Sequence, residues 1–355
     1  MKRLLLVLAL SALVAGSKPV RAQAGGSLLV ISKADHTVAI VDPATLKVKA
    51  KAPTGEDPHE VIASTDGRTA YISNYGSGAY HTLAVIDLGS AKARTPIELG
   101  ALSGPHGLAF VDGKLWFTAE GAKVVGRYDP SSGRVDTVIG TGQNRTHMVW
   151  VTPDQKRVIT TNVSSGTVSL IDQVPVPSGP PGPPPGAPGG AMPAPPRPPG
   201  GRGPARDHDW NQTLVRVGNG SEGFDVSPDG REVWTGNAMD GTVSVVDLAS
   251  KTVVATLQAN VRGVNRLKLT PDGRYALLSA GAELVVIDAH SREVVKRVPV
   301  GRGSEGLLVE PGGRRAFVAC TQDNYVSVID LATFTVTSHL EVGGQPDGMA
   351  WVSGR

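Results

Sequence analysis

The sequence predicts an all-β fold made of seven repeated units, and three observations predict it. Seven short β-like runs end in an aspartate: Asp42, Asp87, Asp129, Asp172, Asp247, Asp288 and Asp330. Their spacings are 45, 42, 43, 75, 41 and 42 residues, and the long one contains a 34-residue Pro/Gly tract, Gln173 to Arg206, without which it is 41. Within each unit, β-branched runs and turn signals recur in the same order. A period of roughly 40–45 residues with several strands per unit is that of a propeller blade. The expected architecture is therefore a seven-bladed β-propeller of four-stranded antiparallel blades.

The first element is a leader. Lys2 and Arg3 precede an apolar stretch, Leu4 to Val14, and Ala22-Gln23-Ala24 supplies small residues for cleavage. This order predicts a signal peptide over 1–24, with the propeller over 25–355. The apolar run is too short for a stable membrane anchor. No cysteine follows it and twin arginines are absent, so general export to the periplasm or the exterior is expected. Without residues 1–24, which hold four basic residues and no acid, the formal charge falls from +3 to −1. Net charge therefore gives no argument for a nucleic-acid partner.

The mature N-terminus then offers three strands, Leu28–Ser32, Thr37–Val41 and Lys47–Ala52, and the C-terminus a fourth, Met349–Val352. Pairing them would close the ring and leave no free edge at the seam. Six further units follow: His59–Leu88, His106–Asp129, His147–Asp172, Ser221–Leu248, Asn265–Asp288 and Glu305–Asp330. In Ser221–Leu248, a strand at Phe224 reaches a Pro228-Asp229-Gly230 turn. Glu232–Thr235 returns, Asp240-Gly241 turns the chain again, and Thr242–Val246 is the third strand. Thr252–Leu257 is the outer fourth. The tract from Gln173 to Arg206 holds 14 prolines, 8 glycines and no acid. It cannot bury a core, and a disordered insertion over 173–206, with the outer strand resuming near Thr213, is expected.

Tyr71-Ile72-Ser73-Asn74, Thr242-Val243-Ser244-Val245-Val246-Asp247 and Tyr325-Val326-Ser327-Val328-Ile329-Asp330 resemble the repeat of YVTN-type β-propellers, as does Leu331-Ala332-Thr333. The resemblance spans nearly all the chain outside the leader and the tract. It implies the propeller fold and leaves activity open, since one fold hosts many functions.

Among candidate chemical groups, the seven aspartates recur in every unit. Blade construction explains that better than a single site does, through an Asx-type bond to the following turn. The lone Cys320 sits in an apolar run and reads as a small buried hydrophobe. More telling is the residue before the first strand of each unit: His59, His106, His147, Glu222, Asn265, Glu305 and Asp347. Inner strands line a propeller's central channel, so these seven positions should surround one mouth. All are polar, and three of the chain's eight histidines fall there, where composition alone would place about 0.2. Three neutral imidazoles beside a carboxylate suit zinc, copper, nickel or iron, and the carboxylates suit calcium. Imidazole facing carboxylate equally suits metal-free proton transfer. Arg145, Arg262 and Arg302 precede ring positions, and loops between second and third strands add Glu120, Tyr75 and Lys33 to the same rim.

The expected function is an exported binding or scaffold protein. Its His/carboxylate mouth would take a small molecule, a metal, a protein or a cell-envelope component. The alternative is a metal-dependent channel enzyme, such as a lactonase-like hydrolase, similar in residue types at Glu222, Asn265 and Asp347. The chain lacks a zincin helix, a haem-attachment Cys-x-x-Cys-His, a P-loop, a dinucleotide fingerprint and a nucleophile elbow.

Overall fold

The computed structural model describes residues 26–176 and 207–354. They form seven four-stranded antiparallel sheets, with one 3-10 turn at Gly76–Gly78. Blade 1 joins the C-terminal strand Pro346–Val352 to Ser27–Ser32, Thr37–Asp42 and Lys47–Pro53. Its seam pairs Leu28 with Trp351 and Val30 with Met349. Blades 2 to 7 follow in chain order. Their inner strands are Pro58–Ala63, Pro105–Val111, Thr146–Val151, Ser221–Val226, Val264–Leu269 and Ser304–Val309.

Second and third strands are apolar on both faces because each blade is covered by two neighbours. Ala316 to Cys320 in blade 7 are all fully buried. Phe317, Val326 and Val328 of blade 7 pack on Leu28, Val30, Ala39 and Val41 of blade 1 in one cluster that also takes Met349. Outer strands show one face to solvent: Thr252–Leu257 alternates exposed and half-buried positions, as expected of a half-covered antiparallel edge.

The recurrent aspartates build turns. Asp42 Oδ1 accepts from the amides of Ala44 and Thr45 at 2.9 and 3.0 Å. Asp330 does the same with Ala332 and Thr333, and Asp87, Asp129, Asp247 and Asp288 make equivalent bonds. Asp172 is the exception. No tight turn follows it, and its carboxylate is held by Arg157 Nε at 2.5 Å and Lys251 Nζ at 2.7 Å.

Near Asp172 the expected boundaries shift. The third strand of blade 4 runs from Thr167 to Pro175, three residues into the tract, and the outer strand begins at His208 rather than near Thr213. Gln173, Val174 and Pro175 pair with Trp210, Asp209 and His208. Trp210 anchors this extension edge-to-face on the buried Trp116, with ring centroids 6.2 Å apart. The remainder of the tract, 177–206, lies outside the described residues, as does the predicted leader.

Every inner strand breaks register near its ring residue. In blade 3, Pro105 faces Ala119 but Leu108 faces Phe117, so one extra residue is accommodated. Blades 4, 5 and 7 do the same at Thr146/Val149, Ser221/Phe224 and Ser304/Leu307. Such a bulge bends the strand and re-aims a side chain. Hydroxyls stitch the bulges together: Thr118 Oγ1 accepts from Gly107 N at 2.8 Å and donates to His147 O of the next blade at 2.6 Å. Thr161 and Ser279 donate likewise to Glu222 O and Glu305 O.

Candidate functional site at the channel mouth

The glycine after the ring residue sets how closely the inner strands approach. A Cβ on Gly306 would lie 2.1 Å from Asp347 O, and one on Gly348 2.2 Å from His59 O. Gly107 and Gly223 press equally on the strands of His147 and Asn265. The other three blades carry Glu60, Met148 and Arg266 at this position. Glu60 and Arg266 come from blades 2 and 6 and meet in a charge-assisted hydrogen bond, Arg266 Nη2 donating to Glu60 Oε1. Arg266 is only 5 % exposed and Glu60 8 %. The pair floors the mouth. Burial works against the Arg266 charge, but Glu60 and then Asp347 and Glu222 raise its pKa. Beneath the pair lies a chamber of about 190 Å³ lined by all seven inner strands, where Val61, Leu108, Phe224 and Met349 alternate with the charged Asp225 and Lys268.

Above the floor the three imidazoles form the predicted arc. Ring centroids of His59 and His106 are 5.3 Å apart, and those of His106 and His147 are 3.8 Å apart. Tyr75 meets both His59 and His106 edge-on at 4.9 and 5.2 Å. His147 bonds Glu120 Oε1 through Nδ1. Its Nε2 lies 2.8 Å from Glu222 Oε1, though without hydrogen-bond alignment. Tyr75 donates to Glu120 Oε2 at 2.6 Å, and Arg145 spans Glu120 and Glu222 at 3.6 and 3.7 Å.

These contacts drive the imidazoles apart electrostatically. Burial disfavours the charge on His147, but Glu222 and Glu120 overcome it and raise its pKa to about 9. Burial would likewise raise both carboxyls, yet His147 and Arg145 hold them ionised, Glu222 down to about 2. His106 has no such partner. Burial, then His147 and His59, push it well below the ordinary histidine range. His59 is also lowered, by burial, with Asp347 opposing.

The remaining arc is acidic. Asp347 Oδ2 sits 3.3 Å from Lys33 Nζ and 3.6 Å from His59 Nδ1. Asp347 is 2 % exposed and, among the described residues, its Oδ1 has no hydrogen-bond partner; neither has Nδ1 of His106, which is 3 % exposed. Glu305 is raised by burial first and by Asp347 second. Asn265 Oδ1 accepts from Arg266.

Not every expected residue joins the ring. Arg262 turns to Met239 O at 2.6 Å, and Arg302 pairs with Asp323 at 2.7 Å on the outer rim. The expected metal site also finds no support. Among the described residues no group of three or more His, Cys, Asp or Glu side chains is placed to hold a metal ion. The imidazoles stack along the arc, and both nitrogens of His147 already face carboxylates. Sequence reasoning missed Glu60 and Arg266. Their signal lies in aligning the seven units one position beyond the ring, where charged residues break a run of glycines.

No family model and no curated protein matches this chain. It is similar in fold to several solved structures. A functionally unknown protein from Desulfotomaculum acetoxidans gives a TM-score of 0.71 at 11 % identity, over 93 % of this chain and 99 % of that one. A Bacteroides fragilis protein provisionally named 6-phosphogluconolactonase gives 0.68 at 16 %, over 94 % and 100 %. The dihydro-heme d1 dehydrogenase NirN gives 0.59 at 15 %, over 91 % and 74 %. At these identities the likeness is one of fold: this chain is a seven-bladed β-propeller.

Proposed function

We propose that the protein is an exported binding protein whose ligand is a small polar molecule held in the channel mouth. The observation that carries this is the pair of buried, unpartnered polar atoms, His106 Nδ1 and Asp347 Oδ1, above a closed floor. Buried polar atoms are nearly always satisfied, so each exception calls for an explanation, and a bound ligand is the one that fits two such atoms at one mouth. The site is built from seven blades, so it is preorganised and loses little entropy on binding. Export rests on residues 1–24, whose basic, apolar and small-residue order directs a chain to the periplasm or beyond.

The test is a thermal-shift screen with cationic, neutral and anionic polar compounds. At least one class should raise the melting temperature of the native protein, and the rise should vanish in His106→Leu with Asp347→Asn. A hit that persists in that double variant, or a screen without hits, would overturn the reading.

A second reading has its own observation. His106 and His147 are in ring contact, one held neutral and the other protonated. Such a split is what acid–base catalysis needs. A metal-free lactone or ester hydrolase would use both, and hydrolysis that survives His106→Gln would remove this reading.

A further inference from the structure

We propose that the mouth takes a small primary ammonium compound, with its charged end seated between Asp347 and Glu305. This rests on the reading of the mouth as a binding site and adds the charge and class of the ligand.

The argument is a balance of charges in one enclosed space. On the histidine side the carboxylates are already matched: Glu120 and Glu222 hold His147 and Arg145, and Glu60 holds Arg266. The cations there are therefore committed and cannot greet an anion without releasing a buried carboxylate. On the other side two carboxyls stand at adjacent ring positions. Asp347 has one oxygen on Lys33 and the other unpartnered. Glu305 makes no ion pair among the described residues. The groups facing them are Lys33, His59, Arg266 and the Thr321 hydroxyl, of which Arg266 is spoken for and His59 is kept neutral by burial. Two carboxyls therefore share a single uncommitted cation, Lys33, and the half is one positive charge short.

An ammonium has three donors on a compact centre. One reaches Asp347 Oδ1, one Glu305, and one is left for solvent or the ligand itself. The organic body then lies against the faces of His59, His106 and Tyr75, with the free His106 nitrogen available to a hydroxyl. Burial and then Asp347 raise the Glu305 pKa, so the carboxylate that an ammonium needs forms as pH rises, and binding should strengthen in that direction. Lys33 competes for the same carboxylate, which makes it a probe of sign.

The experiment titrates glucosamine, glucose and gluconate, matched in size and differing in charge, into the full mature protein. Binding is read from the histidine ring resonances by NMR. Glucosamine should shift His59 and His106 and bind about tenfold tighter than glucose, the worth of one charge-assisted hydrogen bond. Gluconate should not shift them. Asp347→Asn should cost about tenfold, and Lys33→Ala should tighten glucosamine binding. Since Lys33 is at the rim, that variant remains informative if Asp347→Asn misfolds. A preference for gluconate or glucose, or weaker glucosamine binding in Lys33→Ala, overturns the ammonium assignment while leaving the mouth as a binding site. Unmoved ring resonances with all three compounds would overturn both.

Discussion

At the scale of single residues, His147 shows how burial and charge decide a side chain's state. It is 2 % exposed, yet it is held as an imidazolium because Glu222 and Glu120 flank it. A pKa raised above the unfolded value adds stability that is fully present below about pH 6.5 and fades as pH rises through about 9. His147→Gln should therefore cost most near pH 6, of order 3 kcal/mol for a shift of this size. The cost should shrink toward pH 10, read by denaturant unfolding at each pH. A penalty independent of pH would show that His147 acts by packing alone. Three neighbouring histidines were visible in the sequence, but their opposite protonation states were not. Those follow from which second-strand loop brings Glu120 beside His147 and none beside His106.

At the scale of elements, the blade 4 hairpin is the least regular part of the ring and the most open to surgery. Its strands stay paired to Pro175 and His208, and Val176 N still reaches Asp207 O at 3.3 Å. The two ends of the tract therefore meet. Replacing residues 177–206 by Asn-Gly should preserve the fold and raise stability by about 2 kcal/mol, through the smaller loop-closure entropy. A melting temperature several degrees lower would mean that the tract packs on the propeller. The composition of the tract announced an insertion. It did not announce that Gln173–Pro175 belong to a strand, because the pairing that holds them depends on Trp210, 35 residues further on, finding Trp116.

At the scale of the whole molecule, the Glu60–Arg266 bridge joins blades on opposite sides of the axis, between the mouth and the chamber beneath it. Removing one partner strands a buried charge. Glu60→Met or Arg266→Met alone should cost about 3–5 kcal/mol, while the two together should be close to neutral or stabilising. Guanidinium unfolding of the three variants checks this. Mild effects in both single variants would show that the pair is solvated and that the channel is not closed there. No helix among the described residues is long and apolar enough to cross a membrane.

Local sequence determined the number of blades, the order of strands and the ring of polar positions, because strand alternation and turn chemistry are short-range and repeat within one chain. The role of the aspartates was legible for the same reason: Asp42 and Asp330 bond residues two and three places on. Tertiary structure alone decided what the ring does. Whether Arg145 turns inward and Arg302 outward, whether three imidazoles stack or converge, and whether Glu60 finds Arg266 depend on bulge geometry and on distances across the axis. Those distances are fixed by strands far apart in the chain, and no window of sequence contains them.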